Sequence, residues 1–283
     1  MSRGVPGRTP RQWRFLCKPL PDELYPSHLI RLACFNAMDI GEMLGKPSVQ
    51  IRQLRDFGYG MGMYCQMTGI DNPIGVRRQM TLLRYLLCDR PSVVDPGDTA
   101  LAAMTRGSPR QGDFLRVCPR CLSEEHARSG FAIWHLSQQL PLTLVCLRHR
   151  KRLSNVRCRG RLRLPIASDV PSTLPEPTAF MQAMAIADAE VFAVSETPKQ
   201  RQHFVRSLHA SLFKESSGRL TALRHAATLR RLVPNVEPMK GILVSPHIEF
   251  GLAQFAQNAD LITDNILLSL LRAMLIMSDS PCE

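Results

Sequence analysis

The chain has 283 residues, 45% of them apolar, and a formal net charge of +12. At roughly 150 residues per domain that length suggests about two domains, and it excludes a chain too short to bury a core. The apolar share excludes a disordered chain, and the charge favours an acidic partner: nucleic acid first, an anionic membrane second, against a generally basic surface with no such partner.

The opening stretch MSRGVPGRTPRQWRF carries four arginines and no apolar centre, so it does not read as a secretory leader. Residues 261–277 form the nearest thing to a long apolar run, but Asp264, Asn265 and Arg272 interrupt it. A buried helix fits that composition better than a membrane span. The nine cysteines are odd in number. They point to a cytoplasmic, reducing setting, in which paired cysteines hold metal more often than they form disulfides.

In chain order, residues 1–18 read as a basic flexible arm. Residues 19–112 read as a helical N-terminal domain. Ser27 is placed to cap a first helix whose apolar face uses Leu29, Leu32 and Ala33, and Asp39 to cap a short second one, IGEML. Pro47 and Ser48 then precede VQIRQLRDF. Short helices joined by tight turns are compatible with a helix-turn-helix and equally with an ordinary bundle. Gly58, Gly60 and Gly62 alternate, which predicts an irregular stretch, and RRQMTLLRYLLC over 77–88 predicts one amphipathic helix. Residues 89–112 are rich in proline and glycine and read as loop.

Residues 113–164 form a small zinc finger with a basic stripe, 165–178 a proline-rich linker, and 179–283 a helical C-terminal domain. Helical spacing is clear over 179–194, 201–214, 218–233 and 245–257, and the apolar run ends the chain. Strand candidates are short pieces near the cysteines, such as LTLVC at 142–146. The fold class expected is therefore mainly α.

Cys118-x2-Cys121 and Cys146-x2-His149 are two ligand pairs separated by 24 residues. Two-residue spacing lets a turn aim both side chains at one ion, and two such turns close a tetrahedron of three thiolates and one imidazole. Zinc suits that set. Trp134, Leu140 and Leu144 are expected to form a small core beneath the ion, and a finger this small would need its metal to fold. His135 reads as structural or exposed, and Cys158 as a free cysteine rather than a spare ligand. A catalytic zinc would need an open position and a general base. His247-Ile248-Glu249 lies far downstream of the cysteines, and Pro119 sits inside the first pair, so the zinc deaminase pattern is not met. GEMLGKP at 41–47 has the wrong glycine spacing, and Pro47 where a magnesium-binding hydroxyl should stand, so it is not a phosphate loop. These readings describe a non-enzyme.

After the zinc ligands comes a stripe of eight cations without an acid: Arg148, Arg150, Lys151, Arg152, Arg157, Arg159, Arg161 and Arg163. Held on a metal-clamped module, it is a candidate for contact with DNA phosphates. Arg219, Arg224, Arg230 and Arg231 offer a second basic face.

Two segments together resemble the TniQ family, which includes the TnsD-type target selectors of transposons. One is PLPDELYPSHLIRLACFNAM at 19–38. The other runs from Cys118 to Leu153: Cys-Pro-x-Cys-Leu, an acidic pair, Trp134, Leu140-Pro141, then Cys-x-x-His and Leu153. The resemblance implies an adaptor for DNA transposition. Such a protein links a target, either a DNA site or an RNA-guided effector complex, to the transposon's AAA+ ATPase regulator. It implies an N-terminal helix-turn-helix region, a helical C-terminal part, a structural Zn2+ on Cys118, Cys121, Cys146 and His149, and head-to-tail dimers in some members. Many relatives carry a second cysteine cluster; here Cys158 stands alone in that region, which implies one zinc. The chain is shorter than the longest members, so recruitment by another targeting component is favoured over unaided reading of a long DNA site. The rival outside this family is a zinc-containing transcription regulator that reads its own operator; an unrecognised metal-dependent nuclease is a third reading.

Overall fold

The computed structural model describes residues 14–44, 54–55, 58–86, 114–158, 162–213, 219–232, 246–257 and 265–279. The first helix, α1 (Tyr25–Phe35), begins with proline in its first turn and Leu24 at its N-cap, without a side-chain cap. Proline there has its φ preset and lacks one of the donors a cap would satisfy. Ser27 is therefore not the cap expected of it. It sits in the first turn, fully buried, and its hydroxyl accepts the Trp134 amide at 3.1 Å. Asp39 does cap α2 (Ile40–Met43), accepting from the Gly41 amide at 2.7 Å. Of the VQIRQLRDF segment only Leu54 and Arg55 are described, so the later part of the helix-turn-helix expectation lies outside the described residues.

The alternate glycines do not mark an irregular stretch throughout. Gly58 and Gly60 adopt left-handed φ values of 62° and 76°, and Gly60 is the N-cap of α3 (Met61–Thr68). A Cβ on Gly60 would stand 3.0 Å from the Leu44 side chain. The amphipathic run expected as one helix is two, α4 (Pro73–Met80) and α5 (Leu83–Leu86). The break is Thr81, buried in an extended conformation, whose hydroxyl donates to the Arg77 carbonyl at 2.6 Å and accepts from the Leu83 amide at 3.2 Å. A threonine hydroxyl that satisfies backbone groups locally competes with helix continuation.

Strands β1 (Phe114–Val117) and β2 (Ser154–Arg157) pair antiparallel, with Phe114 opposite Arg157 and Val117 opposite Ser154. The LTLVC segment makes only a single bridge, Val145 to Arg152, so the ribbon is built from the residues flanking the expected strand. Helix α6 (Pro119–Ser129) follows β1 directly. Residues 165–178 hold one short 3-10 turn, Ala167–Asp169.

The C-terminal helices are α7 (Ala179–Val194), α8 (Pro198–Leu212), α9 (Arg219–Leu232), α10 (Pro246–Gln257) and α11 (Asn265–Asp279). Thr178 and Thr197 cap α7 and α8. Helix α11 packs along α7, and α9 along α10. Among the described residues no helix is long and apolar enough to cross a membrane.

One contiguous core runs from Leu24 to Met274 and contains Trp134, Leu140 and Leu144. The expected private core beneath the ion is thus part of a common one. At its centre the buried Asp188 carboxylate of α7 accepts from the Tyr85 hydroxyl (2.6 Å), the Ser269 hydroxyl (2.9 Å), the Leu142 amide (2.8 Å) and the Thr143 hydroxyl (3.2 Å). Full burial pushes its pKa up, against those donors and the charge of Arg116. Asn265 joins the same junction through the Tyr85 carbonyl at 2.7 Å. Segments far apart in sequence are therefore fixed by one polar node.

Candidate metal centre

Cys118 is the N-cap of α6 and Cys121 lies in its first turn, so a helix N-terminus aims both sulfurs at the site. The positive end of a helix also favours thiolates. The second pair sits on a tight turn. The Arg150 amide donates to the Cys146 carbonyl at 2.7 Å and the Cys146 amide to the Lys151 carbonyl at 2.9 Å. Arg150 takes a left-handed φ of 52° to close that turn.

The ligand atoms of Cys118, Cys121, Cys146 and His149 all lie within 4.8 Å of one another. His149 Nδ1 is 3.5, 3.3 and 3.7 Å from the sulfurs of Cys118, Cys121 and Cys146, and the Cys121 and Cys146 sulfurs are 3.8 Å apart. A tetrahedral Zn2+ with Zn–S of ~2.3 Å and Zn–N of ~2.0–2.1 Å needs edges of about 3.8 Å between sulfurs and about 3.5 Å from sulfur to nitrogen. The four residues fit a metal ion of that kind. The three neighbouring thiols influence one another: hydrogen bonds with Cys118 and Cys146, and then burial, push Cys121 up, while hydrogen bonds from Cys118 and Cys121 hold Cys146 down. A bound divalent cation would instead hold all three as thiolates. Among the described residues Cys158 lies outside this group, half-buried and packed against the main core.

The surroundings orient the ligands, which is what outer-sphere partners do at metal sites. His149 Nε2 faces Glu124 Oε1 at 3.2 Å, so its Nδ1 is the free ligand atom. Glu124 is also paired with Arg120 and Arg148. The buried Gln138 accepts from the Cys118 amide at 3.0 Å and donates to the Cys121 sulfur at 3.5 Å. Next to it, the Arg116 guanidinium donates to the carbonyls of Gln139 (3.1 Å), Leu140 (2.9 Å) and Thr143. Burial lowers its pKa to about 10. None of these neighbours carries a recognisable spacing, and sequence reasoning missed them.

The opening segment docks on this module. The Leu24 amide donates to the Trp134 carbonyl and the Leu136 amide to the Asp22 carbonyl, each at 2.8 Å. Asp22 holds the left-handed φ of 59° that this crossing needs. His135 lies between two acids, 2.7 Å from Glu125 and 3.4 Å from Asp22. Burial opposes its charge, but the Asp22 and Glu125 carboxylates outweigh it and raise its pKa to about 9. Beneath, the buried Glu23 takes Arg31 in a bidentate pair at 2.8 and 2.7 Å.

The basic stripe is less uniform than its sequence. Three of its cations meet acids from elsewhere: Arg148 with Glu124 (2.7 Å), Lys151 with Glu176 (2.6 Å) and Arg163 with Asp169 (2.6 Å). Arg150 and Arg157 are exposed and Arg152 half-exposed, and among the described residues none of the three has an acidic partner. Arg157 lies over the Phe114 ring, 5.4 Å from its centroid. Arg159 and Arg161 lie outside the described residues.

These features define a mainly helical protein with a buried cluster of three cysteines and one histidine that could hold a metal ion, and a cationic surface beside it. The TniQ family model matches residues 14–153, and over that span the chain belongs to the TniQ family, a family of non-catalytic transposition adaptors that act in target selection. That span contains both the opening segment and the metal centre, which meet in space. A search of curated proteins finds no match to the chain.

Proposed function

We infer that this chain is a non-catalytic adaptor for DNA transposition, joining a recognised target to the transposon's AAA+ ATPase regulator. The family match over residues 14–153 carries this reading. The docking of residues 22–24 on residues 134–136 supports it, because it makes the matched span one physical unit. In this reading Cys118, Cys121, Cys146 and His149 hold one structural Zn2+. The metal's contribution is to clamp the turn at 146–150 against the start of α6. Arg150, Arg152 and Arg157, without acidic partners among the described residues, contact the phosphates of double-stranded DNA, with Arg148, Lys151 and Arg163 as weaker contributors. Arg159 and Arg161 complete the stripe in sequence.

The domain plan is an arm at 1–18, a helical domain with a helix-turn-helix at 19–112, the finger at 113–164, a linker at 165–178 and helices at 179–283. Its target is a DNA site or an RNA-guided effector complex, it works in the cytoplasm, and with an RNA-guided complex it acts as a head-to-tail dimer. The test is capture: the immobilised chain should retain the AAA+ ATPase encoded beside it in a manner that needs ATP and DNA. No retention, with tight binding to one short duplex, would replace this reading with that of an operator-reading regulator.

A further inference from the structure

The two carboxylates of the acidic pair Glu124-Glu125 have different partners. Glu125 is buried and serves the place where the opening segment docks: it meets His135 at 2.7 Å and accepts the Ile133 amide at 3.0 Å. Glu124 serves the metal side. It stands three residues on from Cys121 along α6, which makes the two side chains neighbours on the helix surface. Its Oε1 lies 3.2 Å from His149 Nε2 and accepts from Arg120 at 3.1 Å, and its Oε2 lies 2.7 Å from an Arg148 guanidinium nitrogen.

Arg148 and His149, consecutive in one tight turn, therefore share one carboxylate. Their settings differ. The His149 side chain is 6% exposed and contributes to the metal set, whereas the Arg148 side chain is 64% exposed and belongs to the cationic surface. A carboxylate on the far nitrogen of a ligating imidazole makes it a stronger ligand, and losing such a partner costs a metal site about 10–100-fold in affinity. A guanidinium on the same carboxylate draws part of that negative charge away from the imidazole. A phosphate that takes Arg148 gives it back. What binds at one partner of Glu124 is thus felt at the other.

We propose that Glu124 is a positioning residue for both His149 and Arg148, through which a divalent metal at the cysteine–histidine cluster and a DNA phosphate at Arg148 strengthen each other's binding. This coupling rests on the structural-zinc and DNA-backbone readings. It is reciprocal: DNA tightens the metal by the factor by which the metal, through this carboxylate, tightens DNA. The factor is about two- to fivefold, the scale of one exposed ion pair.

The experiment uses the full chain and measures its zinc dissociation constant by competition with a chromophoric chelator, without and with saturating duplex DNA at fixed ionic strength. The variants are Glu124→Gln, Arg148→Ala and, as the neighbouring control, Glu125→Gln. Glu124→Gln should weaken zinc binding about 10–100-fold. Cobalt(II) loading of that variant should still give the visible absorption of a tetrahedral three-thiolate site, so that the loss is one of affinity and not of ligands. Arg148→Ala without DNA should bind zinc as tightly as the wild type or up to about fivefold tighter, because the carboxylate is then left to His149. A merely structural ion pair would weaken zinc there instead. Added duplex should tighten zinc about two- to fivefold in the wild type and in Glu125→Gln, and by less than half that factor in the other two. Wild-type zinc affinity in Glu124→Gln overturns the positioning role. A duplex effect of wild-type size in Glu124→Gln or Arg148→Ala, or none in a wild type that binds both ligands, overturns the coupling and leaves the zinc and DNA readings standing. A wild type that binds zinc but no duplex sinks the DNA reading and the coupling with it, and one that binds no zinc sinks the metal reading.

Discussion

At the metal end, three thiols and an imidazole converge from a helix start and one tight turn, with no counter-charge of their own at the centre. Around Asp188, by contrast, a buried carboxylate is met by four donors from three segments of chain, and every lone pair it turns inward has a protein partner. Both sites are buried polar clusters in one molecule. One could hold a metal ion. The other is complete in itself. A divalent cation in the first would hold its three sulfurs as thiolates, whereas the second, a set of unlike groups, is satisfied by hydrogen bonding alone.

The largest test of that contrast is to remove the ion. Chelation, or Cys146→Ser, should lower the thermal midpoint by about 10 °C or more, taking structural zinc as worth several kcal/mol and each kcal/mol as roughly 2–4 °C. Hydrogen exchange should rise over 118–130 and 144–153, while α7 and α11 stay protected, because Trp134, Leu140 and Leu144 belong to the common core. Uniform loss of protection would mean that the two regions are one cooperative unit. No change on chelation would remove the metal site.

Next in size is Asp188→Ala. It removes the acceptor shared by the Tyr85, Ser269 and Thr143 hydroxyls and the Leu142 amide; Tyr85 keeps the Asn265 carbonyl and Ser269, each at 3.1 Å, so the cost is about 2–4 kcal/mol. Denaturant midpoints should show that loss while bound zinc per chain is unchanged. Zinc lost along with stability would show that the junction holds the metal end in place, and the contrast would fail.

A smaller effect separates the regions by pH. His135, next to the metal module, is raised to about 9 by Asp22 and Glu125. Its folded pKa lies above its unfolded value of about 6.5, so its contribution is complete below about 6.5 and is lost as pH rises through about 9. The full span is about 3 kcal/mol. Wild-type thermal midpoints should therefore fall between pH 6.5 and 9, and His135→Gln should flatten that fall. A variant that keeps the wild-type slope would clear His135 of the role.

The two regions also differ in what the sequence could reveal. The four ligands were legible because metal geometry imposes a short, fixed spacing on each pair, and the long helices 179–194 and 246–257 because an apolar face repeats at the helical period. The Asp188 junction was not legible, since Leu142 lies 46 residues from Asp188 and Tyr85 184 residues from Ser269, and no local rule ties them. Ser27 shows the same limit: its type fits a cap, and only the tertiary position of Trp134 shows where its hydroxyl goes. Thr81 broke a helix that the apolar spacing joined, for a local reason that the spacing does not record. The acids that quench Arg148, Lys151 and Arg163 likewise come from other segments.

That quenching sharpens the last comparison, between cations of the metal end and cations of the helical part. Each phosphate contact contributes about −0.9 to the log–log slope of DNA affinity against salt. Arg150→Ala with Arg152→Ala should flatten the slope by about 1.8 if both residues contact phosphate. Arg148→Ala with Lys151→Ala should flatten it less, because those side chains must first leave Glu124 and Glu176. Arg224 and Arg231, exposed on α9, are the matched control from the helical region. Their replacement should leave the slope unchanged if DNA lies on the metal end. A larger change there than at Arg150 and Arg152 would move the DNA to the C-terminal helices. The ion would then stabilise a surface that DNA does not touch, and the finger's role would be to hold the opening segment against residues 134–136.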